Sequence, residues 1–485
     1  MEELKKVFSE SKALKLTLII SVIYVLPLVV ADYDYLDDYR RNLYGYGWQH
    51  DGRFIATLLA KLWSLNSSNF SIFPFSTILS AAVLGFTGYL LSYLFNIEKD
   101  KTLKWSSLLI VTMPTFLGNL VFKFDCLPMA LSLLVVVLPY LFYKSWIKFF
   151  AASVVGIFLS LGLYQSGATV YFIVGSLFLT REFLNTNYKL FFNRFCSYII
   201  SFVCAFLGYL AVVKFGKLPV SGRTEVIIGN ENFIELLKAN HDIFLQRLDL
   251  VLGSGNYKYL LIFFCTSSLI GLLFYMCQNK DKFFKTIAIA PLILMILVVN
   301  TYLISSVNIV LKETYWDLRT FCGLGFLLMN FAYFQNYLKG YFAAIARFAI
   351  FLTVAFSFIL MAQFGRILTN QNQFQHAISA SLAPHFNDGS ITKIGFIGTL
   401  NIAPKNEFAY SKFPLFKNIL SNPIGQYSAW TFDALNTNGM LKNTEVISGE
   451  DYTCVGTIIE VTKFYHVRKI NHDTLVIDFN RYSCD

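Results

Sequence analysis

Eleven long apolar runs constrain the fold of this chain more than any other feature. A run of roughly 20 apolar residues, folded as an α-helix, is long enough to cross the hydrocarbon core of a lipid bilayer. The sequence therefore predicts a polytopic α-helical membrane protein with about 11 transmembrane helices. The runs cover residues 13–31, 71–95, 105–122, 126–143, 146–163, 167–180, 195–215, 258–277, 284–304, 319–336 and 342–364.

Composition supports this class. Hydrophobic residues make up 55% of the chain and charged residues 14%, whereas a soluble domain carries about 25% charged residues. Two runs are weaker than the others, because run 105–122 contains Pro114 and run 167–180 is short. Either could re-enter the membrane rather than cross it, so the expected count is eleven, plus or minus about two.

The basic residues predict the orientation of the chain. Lys and Arg exceed Asp and Glu by 40 to 30, which gives a net charge of +10. With a cytoplasmic N-terminus, the inner connections hold 16 basic and seven acidic residues, as expected when positive residues stay in the cytoplasm. Most of the net charge is thus explained by topology, and nucleic-acid binding has no other support. An odd number of spans then places the C-terminus outside the cytoplasm.

Two domains follow from this pattern. Residues 1–364 form the transmembrane part, with long external loops at 32–70 and 216–257. Residues 365–485 have balanced charge and predict an external α/β domain. Short β-like runs in this domain cover Ile391–Leu400, Thr457–Val461 and Thr474–Phe479.

The external domain also contains two of the eight cysteines, Cys454 and Cys484, while the other six lie in or beside the spans. An oxidising compartment permits a disulfide bond between these two.

The first external loop carries the strongest chemical signal. Four carboxylates stand within seven residues directly after the first span, and three arginines follow. Such a cluster can supply a general base and cations that bind a phosphate. The residues are Asp32, Asp34, Asp37, Asp38, Arg40, Arg41 and Arg53.

A simpler interpretation is a solvated loop whose aromatic residues lie at the membrane interface. Helical spacing of apolar residues from Phe54 to Trp63, and again from Phe233 to Leu248, predicts helices that lie in this interface.

Several short motifs resemble one family. They are Asp37-Asp38-x-Arg40, Gly47-Trp48, Gly52-Arg53, Phe122-Lys123-Phe124-Asp125, Leu163-Tyr164-Gln165 and Arg319-Thr320. In this order the chain resembles the serotype-converting O-antigen glucosyltransferases of temperate phages, which belong to the GT-C fold class.

The resemblance implies transfer of glucose from undecaprenyl-phosphate glucose to a sugar of the O-antigen of lipopolysaccharide, with rhamnose as the expected acceptor sugar. It also implies a multi-pass protein of the bacterial inner membrane, with its C-terminus and its active site in the periplasm. Cooperation with a small flippase and with a synthase of the donor lipid, and inversion at the anomeric carbon, are further implications.

The chemistry suggests roles for individual residues. Asp37 or Asp38 would be the general base, since both follow a rigid span, and the sequence does not choose between them. The candidates for binding the donor phosphate are Arg40, Arg41, Arg53, Lys123 and Arg319. The candidates for binding the acceptor sugar are Asp125, Trp48, Tyr164, Gln165 and Trp316.

These side chains also have ordinary explanations. Asp125 could instead pair with Lys123, Gln165 lies at an outer turn that needs polar residues anyway, and Trp316 could be an interfacial anchor.

We expect no essential metal or other cofactor. The chain has no HExxH, CxxC or phosphate-binding GxxxxGK[ST] motif, and Asp32-Tyr33-Asp34 could be an ordinary pair at the interface. A donor with a single phosphate can be held by arginines alone.

Two alternatives remain open. One is another envelope glycan enzyme that uses a polyprenyl-phosphate substrate, such as a polymerase, a ligase or an aminoarabinose transferase. The other is a flippase or secondary transporter, which would usually place ionisable residues near the middle of the bilayer.

Overall fold

A computed structural model describes residues 11–97, 104–185, 187–218, 227, 230–278, 295–386, 389–420, 424–425, 428–436, 441 and 444–482. Within these residues, seven helices are long and apolar enough to cross a membrane. Each overlaps one of the predicted runs, so the chain is a polytopic helical membrane protein. Their elements are α1 (Ser11–Ala31), α4 (Phe75–Leu94), α7 (Trp146–Leu163), α8 (Val170–Leu184, preceded by the 3-10 turn Gln165–Thr169), α9 (Tyr188–Phe215), α11 (Tyr257–Gln278) and α13 (Gly340–Leu382).

The remaining runs form shorter elements. Run 105–122 is not a continuous helix: it contains two 3-10 turns and the single turn α5 (Leu117–Leu120). Pro114 opens the second 3-10 turn, as expected for a residue that has no N–H to donate within a helix. Helices α6 (Cys126–Val137) and α12 (Leu324–Gln335) are apolar but short. Run 284–304 lies partly outside the described residues and is helical over 295–303, so a total of eleven spans stays a prediction.

The two long loops contain helices of their own. Loop 32–70 holds α2 (Asp37–Tyr44) and α3 (Phe54–Ser64), and the second loop holds α10 (Phe233–Leu252). Helices α3 and α10 occupy the two segments whose apolar spacing is helical.

Helix α13 connects the transmembrane part to the C-terminal region. It has 43 residues, and at 1.5 Å per residue it is about 64 Å long, roughly twice the thickness of the hydrocarbon core. The helix continues well beyond its apolar part, so the predicted domain boundary between residues 364 and 365 falls inside it.

A five-stranded sheet forms the centre of the C-terminal region, with the strand order β2-β1-β5-β4-β3. Strand β1 (Lys393–Ile397) runs parallel to β2 (Glu445–Ser448) and β5 (Thr474–Asp478), and β4 (His466–Lys469) is antiparallel to β5 and β3 (Thr457–Val461). Three short helices accompany the sheet: α14 (Glu407–Lys412), α15 (Leu415–Ile419) and α16 (Ser428–Leu435). Cys454 is disulfide-bonded, but Cys484 lies outside the described residues, so their pairing stays a prediction.

The C-terminal region packs directly against the first external loop. Tyr39 of α2 is part of the apolar core around the sheet. Its hydroxyl donates to Oε1 of Gln375 on α13 at 2.9 Å, and Nε2 of Gln375 donates to the Tyr33 hydroxyl at 3.1 Å. The Tyr35 hydroxyl donates to the carbonyl of Ile419 at the end of α15. These contacts fix α2 between the bundle and the sheet.

Candidate functional site

Helix α2 places the acidic and basic residues of the first loop. The chain reverses after α1 through Asp32 and Leu36, both with positive φ, and α2 begins at Asp37. Carboxylates are favoured in the first turn of a helix because they interact with its unpaired N–H groups and dipole. Gly45, in the left-handed conformation, ends the helix after two turns.

Asp125 organises the first of two clusters at this end of the bundle. Its Oδ2 accepts a hydrogen bond from Nη1 of Arg41 at 2.5 Å, and its Oδ1 accepts one from Nη1 of Arg53 at 3.3 Å. Oδ2 of Asp37 lies 3.9 Å from the same Nη1 of Arg41. Arg319, described below, is the fifth member of this group. We call the five residues the reaction cluster: Asp37, Arg41, Arg53, Asp125 and Arg319.

Arg41 is held in place by aromatic rings as well as by Asp125. Its side chain is 3% exposed, and its guanidinium lies 4.4 Å from the ring centre of Trp48 and 5.1 Å from that of Tyr46. Trp48 is itself buried, in a small apolar group with Ala56, Ala60 and Phe124. Its ring therefore stacks on an arginine and is not an open sugar platform, which corrects its predicted role.

Arg53 links the loop to the end of α7. Its Nε donates to Oε1 of Gln165 at 3.3 Å, and its guanidinium lies 4.8 Å from the ring centre of Tyr164. Nε2 of Gln165 donates in turn to the carbonyl of Asp51 at 2.7 Å and to the hydroxyl of Tyr209 on α9 at 3.3 Å. The amide of Gln165 is thus already occupied by protein groups.

Arg319 approaches from the segment before α12. Its Nε lies 3.5 Å from Oδ2 of Asp317, and its Nη2 donates to the Tyr315 hydroxyl at 2.7 Å. The Tyr164 hydroxyl donates to the Arg319 carbonyl at 3.0 Å, which connects this segment to α7. Trp316 is buried near Phe244 and Phe321, so it packs inside the protein instead of facing a sugar, contrary to its predicted role.

Asp37 is the least occupied carboxylate of the cluster. Its side chain is 33% exposed, and among the described residues no hydrogen bond reaches its carboxylate. Burial raises the pKa of Asp37 above its usual 3.8, while Arg41 and Arg319 act in the opposite direction. A carboxylate with a raised pKa is a better proton acceptor near neutral pH.

The anchor cluster, formed by Asp32, Asp34, Asp38 and Lys123, lies beside the reaction cluster. Nζ of Lys123 is 2.7 Å from Oδ1 of Asp32 and 2.6 Å from Oδ1 of Asp34. Its position corrects two expectations: Lys123 is neutralised by two carboxylates rather than open to a phosphate, and Asp125 pairs with the arginines rather than with this lysine.

Asp38 is fully buried within the anchor cluster. Its carboxylate accepts hydrogen bonds from the backbone N–H groups of Tyr35 at 3.2 Å, Lys123 at 3.0 Å and Phe124 at 3.4 Å. Burial raises the pKa of Asp38 to about 8, although the Lys123 N–H lowers it. Asp38 therefore joins α2 to the segment before α6 and has no exposed surface for a substrate.

Comparison with known proteins places the chain in a family. Residues 26–330, more than half of the chain, match the family described as glucosyl transferase GtrII. The chain belongs to this family. This confirms the family that the short motifs of the sequence resemble. The matched range includes both clusters and ends before α13.

A phage protein is also similar. Over 250 residues the chain is 24% identical to the "uncharacterized 55.3 kDa protein in gtrB 5'region" of Salmonella phage P22. The aligned residues make up 49% of this chain and 50% of the phage protein. The chain thus spans about half the length of the curated relative that it matches. No solved structure matches the chain.

The remaining predicted site residues lie in different places in the structure. Arg40 points away from the reaction cluster, with its Nε 3.9 Å from Oδ2 of Asp433 on α16. Tyr315 and Asp317, which hold Arg319, were missed by sequence reasoning, although their closeness to Arg319 in the chain was a usable signal. Within the described residues, no group of three or more His, Cys, Asp or Glu could hold a metal ion, and independence from metals stays a prediction.

Proposed function

We propose that this glucosyltransferase moves a glucosyl group from undecaprenyl-phosphate glucose to a rhamnose of the O-antigen at the periplasmic face of the inner membrane. Asp37 is the general base, and Arg53 and Arg319 hold the departing phosphate. The observation that carries this proposal is the reaction cluster itself. It places an accessible carboxylate beside three guanidinium groups where the first external loop meets the ends of several helices.

Asp37 suits the base better than its neighbour. Asp38 is fully buried and accepts three backbone hydrogen bonds, so a substrate hydroxyl cannot reach it without disrupting the anchor cluster. Asp37 is partly exposed, and its pKa is raised by burial. A general base must lie within hydrogen-bond reach of the proton that it accepts, and the partial exposure of Asp37 leaves room for such an approach.

Two arginines have donors left for a phosphate. Among the described residues, no hydrogen bond uses Nη2 of Arg53 or Nη1 of Arg319. Arg41 differs, because it is enclosed by Asp125, Trp48 and Tyr46 and serves to position Asp125. Guanidinium groups bind phosphate oxygens through paired, charge-assisted hydrogen bonds, so the charge that develops on the leaving phosphate is stabilised there.

The reaction is a single displacement. The acceptor hydroxyl oxygen forms a bond to the anomeric carbon, and the bond from that carbon to the phosphate oxygen breaks. The hydroxyl proton passes to Asp37, and the electron pair leaves with polyprenyl phosphate between Arg53 and Arg319. One displacement inverts the anomeric configuration, and no covalent intermediate with the enzyme is needed.

The C-terminal region is placed to contact the acceptor glycan. It touches α2 through Tyr39 and through the ion pair of Arg40 with Asp433, so a polysaccharide that reaches Asp37 passes close to it. We propose that this region helps to select the acceptor, and that a flippase and a synthase supply the donor lipid.

The decisive experiment is a transfer assay with purified enzyme in lipid nanodiscs. Radiolabelled polyprenyl-phosphate glucose and O-antigen are supplied, with a nucleotide-linked glucose as the control donor. We expect labelled O-antigen only with the lipid-linked donor, an inverted linkage by NMR, and undiminished activity after exhaustive chelation of metal ions.

Three results would contradict the proposal. Equal use of the nucleotide-linked donor would show that the enzyme does not require a polyprenyl-phosphate donor. Movement of the donor lipid across the membrane without bond cleavage would indicate a flippase. Transfer to another envelope glycan, with the O-antigen left unlabelled, would indicate one of the related envelope enzymes.

A further inference from the structure

A second cationic site lies at the far end of the bundle from the reaction cluster. Helix α7 connects the two, since Tyr164 and Gln165 follow its last residue and Trp146 is its first. With 18 residues, α7 is about 27 Å long, which is close to the thickness of the hydrocarbon core. The start of α7 therefore lies at the opposite membrane boundary, which the positive-inside rule makes cytoplasmic.

Arg194 is the central residue at this boundary. It lies in the second turn of α9 and is 2% exposed, and its Nε and Nη1 have no hydrogen-bond partner among the described residues. Its guanidinium lies 5.1 Å from the ring centre of Tyr143 and 5.5 Å from that of Phe149. A buried cation with unpaired donors is costly, so this arrangement indicates an anionic ligand that completes it.

A groove beside Arg194 is large enough for such a ligand. It has a volume of about 560 Å³ and runs between the start of α7 and the first turns of α9. No acidic residue is among the described residues that line it. Its main lining residues are Lys144, Trp146, Phe150, Asn193, Arg194 and Ser197.

We infer that this groove binds the phosphate of an anionic phospholipid in the leaflet opposite the reaction cluster. The guanidinium of Arg194 can donate charge-assisted hydrogen bonds to a phosphate, and Lys144 brings a second positive charge to the same groove. Trp146 stands at the depth where tryptophan meets lipid headgroups, and Phe150 lies one turn further into the bilayer, beside the acyl chains.

The bound lipid would join α7 to α9. The far ends of these helices carry Gln165 and Tyr209, which hydrogen-bond to each other, and Gln165 also accepts a hydrogen bond from Arg53. Lipid at one end therefore stabilises the helix pair that positions Arg53 at the other. The lipid site is inferred from Arg194 and the groove beside it, so it does not depend on which sugar donor or acceptor glycan the protein uses.

The test compares Arg194→Gln with Lys189→Gln. Lys189 is an exposed residue on the same first turns of α9 and does not line the groove, so its substitution removes the same charge outside the site. The intact proteins are studied by native mass spectrometry after equilibration with phosphatidylglycerol or phosphatidylcholine. We expect wild type and Lys189→Gln to bind phosphatidylglycerol in preference to phosphatidylcholine. In Arg194→Gln the ratio of the two bound lipids should fall about tenfold, the value of one charge-assisted hydrogen bond.

Hydrogen exchange of the wild-type protein covers the case in which Arg194→Gln does not fold. Phosphatidylglycerol nanodiscs should slow amide exchange around residues 190–200 relative to phosphatidylcholine nanodiscs. Equal exchange in the two lipids would overturn the inference, as would a folded Arg194→Gln protein with wild-type lipid preference or an equal loss in Lys189→Gln. Displacement of the lipid by millimolar inorganic phosphate would show that the site takes free phosphate instead.

Discussion

The reaction cluster and the anchor cluster use the same kinds of side chain and lie side by side, yet they differ in how fully their charges are satisfied. In the anchor cluster, Lys123 contacts two carboxylates, and Asp38 is enclosed by backbone N–H groups. In the reaction cluster, Asp37 has a partly exposed carboxylate, and Arg53 and Arg319 have donors that no hydrogen bond uses among the described residues. A satisfied cluster stabilises the fold, whereas an incompletely satisfied one can take part in chemistry.

Helix geometry explains how neighbouring aspartates separate into these roles. Successive residues of an α-helix point about 100° apart. The first turn of α2 therefore aims Asp38 at the backbone before α6, while Asp37 faces Arg41 one turn later on the same side.

The largest expected effect separates the two aspartates. Asp37→Asn should lower the transfer rate by about 10²- to 10⁴-fold, because general base catalysis typically contributes that much. Asp38→Asn, the matched control, should retain most of its rate per folded molecule. Initial rates at equal amounts of folded protein measure both. If Asp38→Asn lost more transfer rate than Asp37→Asn, Asp38 would be the base and the contrast between the two clusters would be wrong.

The next effect concerns the carboxylate that joins the arginines. Asp125→Asn leaves Arg41 buried beside an uncharged amide, and breaking a buried ion pair costs about 3–5 kcal/mol. We therefore expect a clear drop in the temperature of unfolding in nanodiscs, together with loss of transfer. Asp51→Asn is the control, because Asp51 is exposed in the same loop. An unchanged unfolding temperature for Asp125→Asn would mean that the Arg41 pair does not stabilise the fold.

A smaller effect should appear in the pH dependence of stability. Burial raises the pKa of Asp38 from 3.8 to about 8, so the folded state binds a proton that the unfolded state releases. The stabilisation from this group is complete below pH 3.8 and is lost as the pH rises through 8. Unfolding temperatures of wild type should fall between pH 6 and pH 9, and those of Asp38→Asn should fall less. Parallel curves for the two proteins would refute this assignment.

The smallest effect is expected at Lys123. Lys123→Gln removes two ion pairs, one with the largely exposed Asp32 and one with the partly buried Asp34, and neither carboxylate belongs to the reaction cluster. Donor affinity should stay close to wild type, whereas Arg53→Gln should weaken it by about tenfold, the value of one charge-assisted contact. If Lys123→Gln and Arg53→Gln lost equal donor affinity in binding assays, Lys123 would also bind the donor phosphate.

Local sequence patterns indicated which residues come together at this end of the bundle. The candidate residues Asp37, Arg41, Arg53, Asp125 and Arg319 are scattered over nearly 300 positions of the chain and lie close together in the structure, while their roles stay predictions. They lie together because a helix of membrane-spanning length places its ends at fixed boundaries, so polar residues after spans of one direction share one side.

The same reasoning failed for side chains whose role depends on distant partners. Trp48 and Trp316 are typical of interfaces and sugar sites, but both are buried. Lys123 and Arg40 are cations near the site, yet they contact the carboxylates of Asp32 and Asp34 and of Asp433. Position relative to a span does not reveal which neighbour a side chain meets.

The sequence by itself determined the membrane class, the two loop helices α3 and α10, and the family, because apolar length and short motifs are local properties of the chain. Only the tertiary structure decided that Asp37 is open and Asp38 closed, that Asp125 joins two arginines, and that Arg194 lies buried with unpaired donors. These distinctions depend on which groups from distant segments exclude water around a charge, and the free energy of a buried charge is set by those groups.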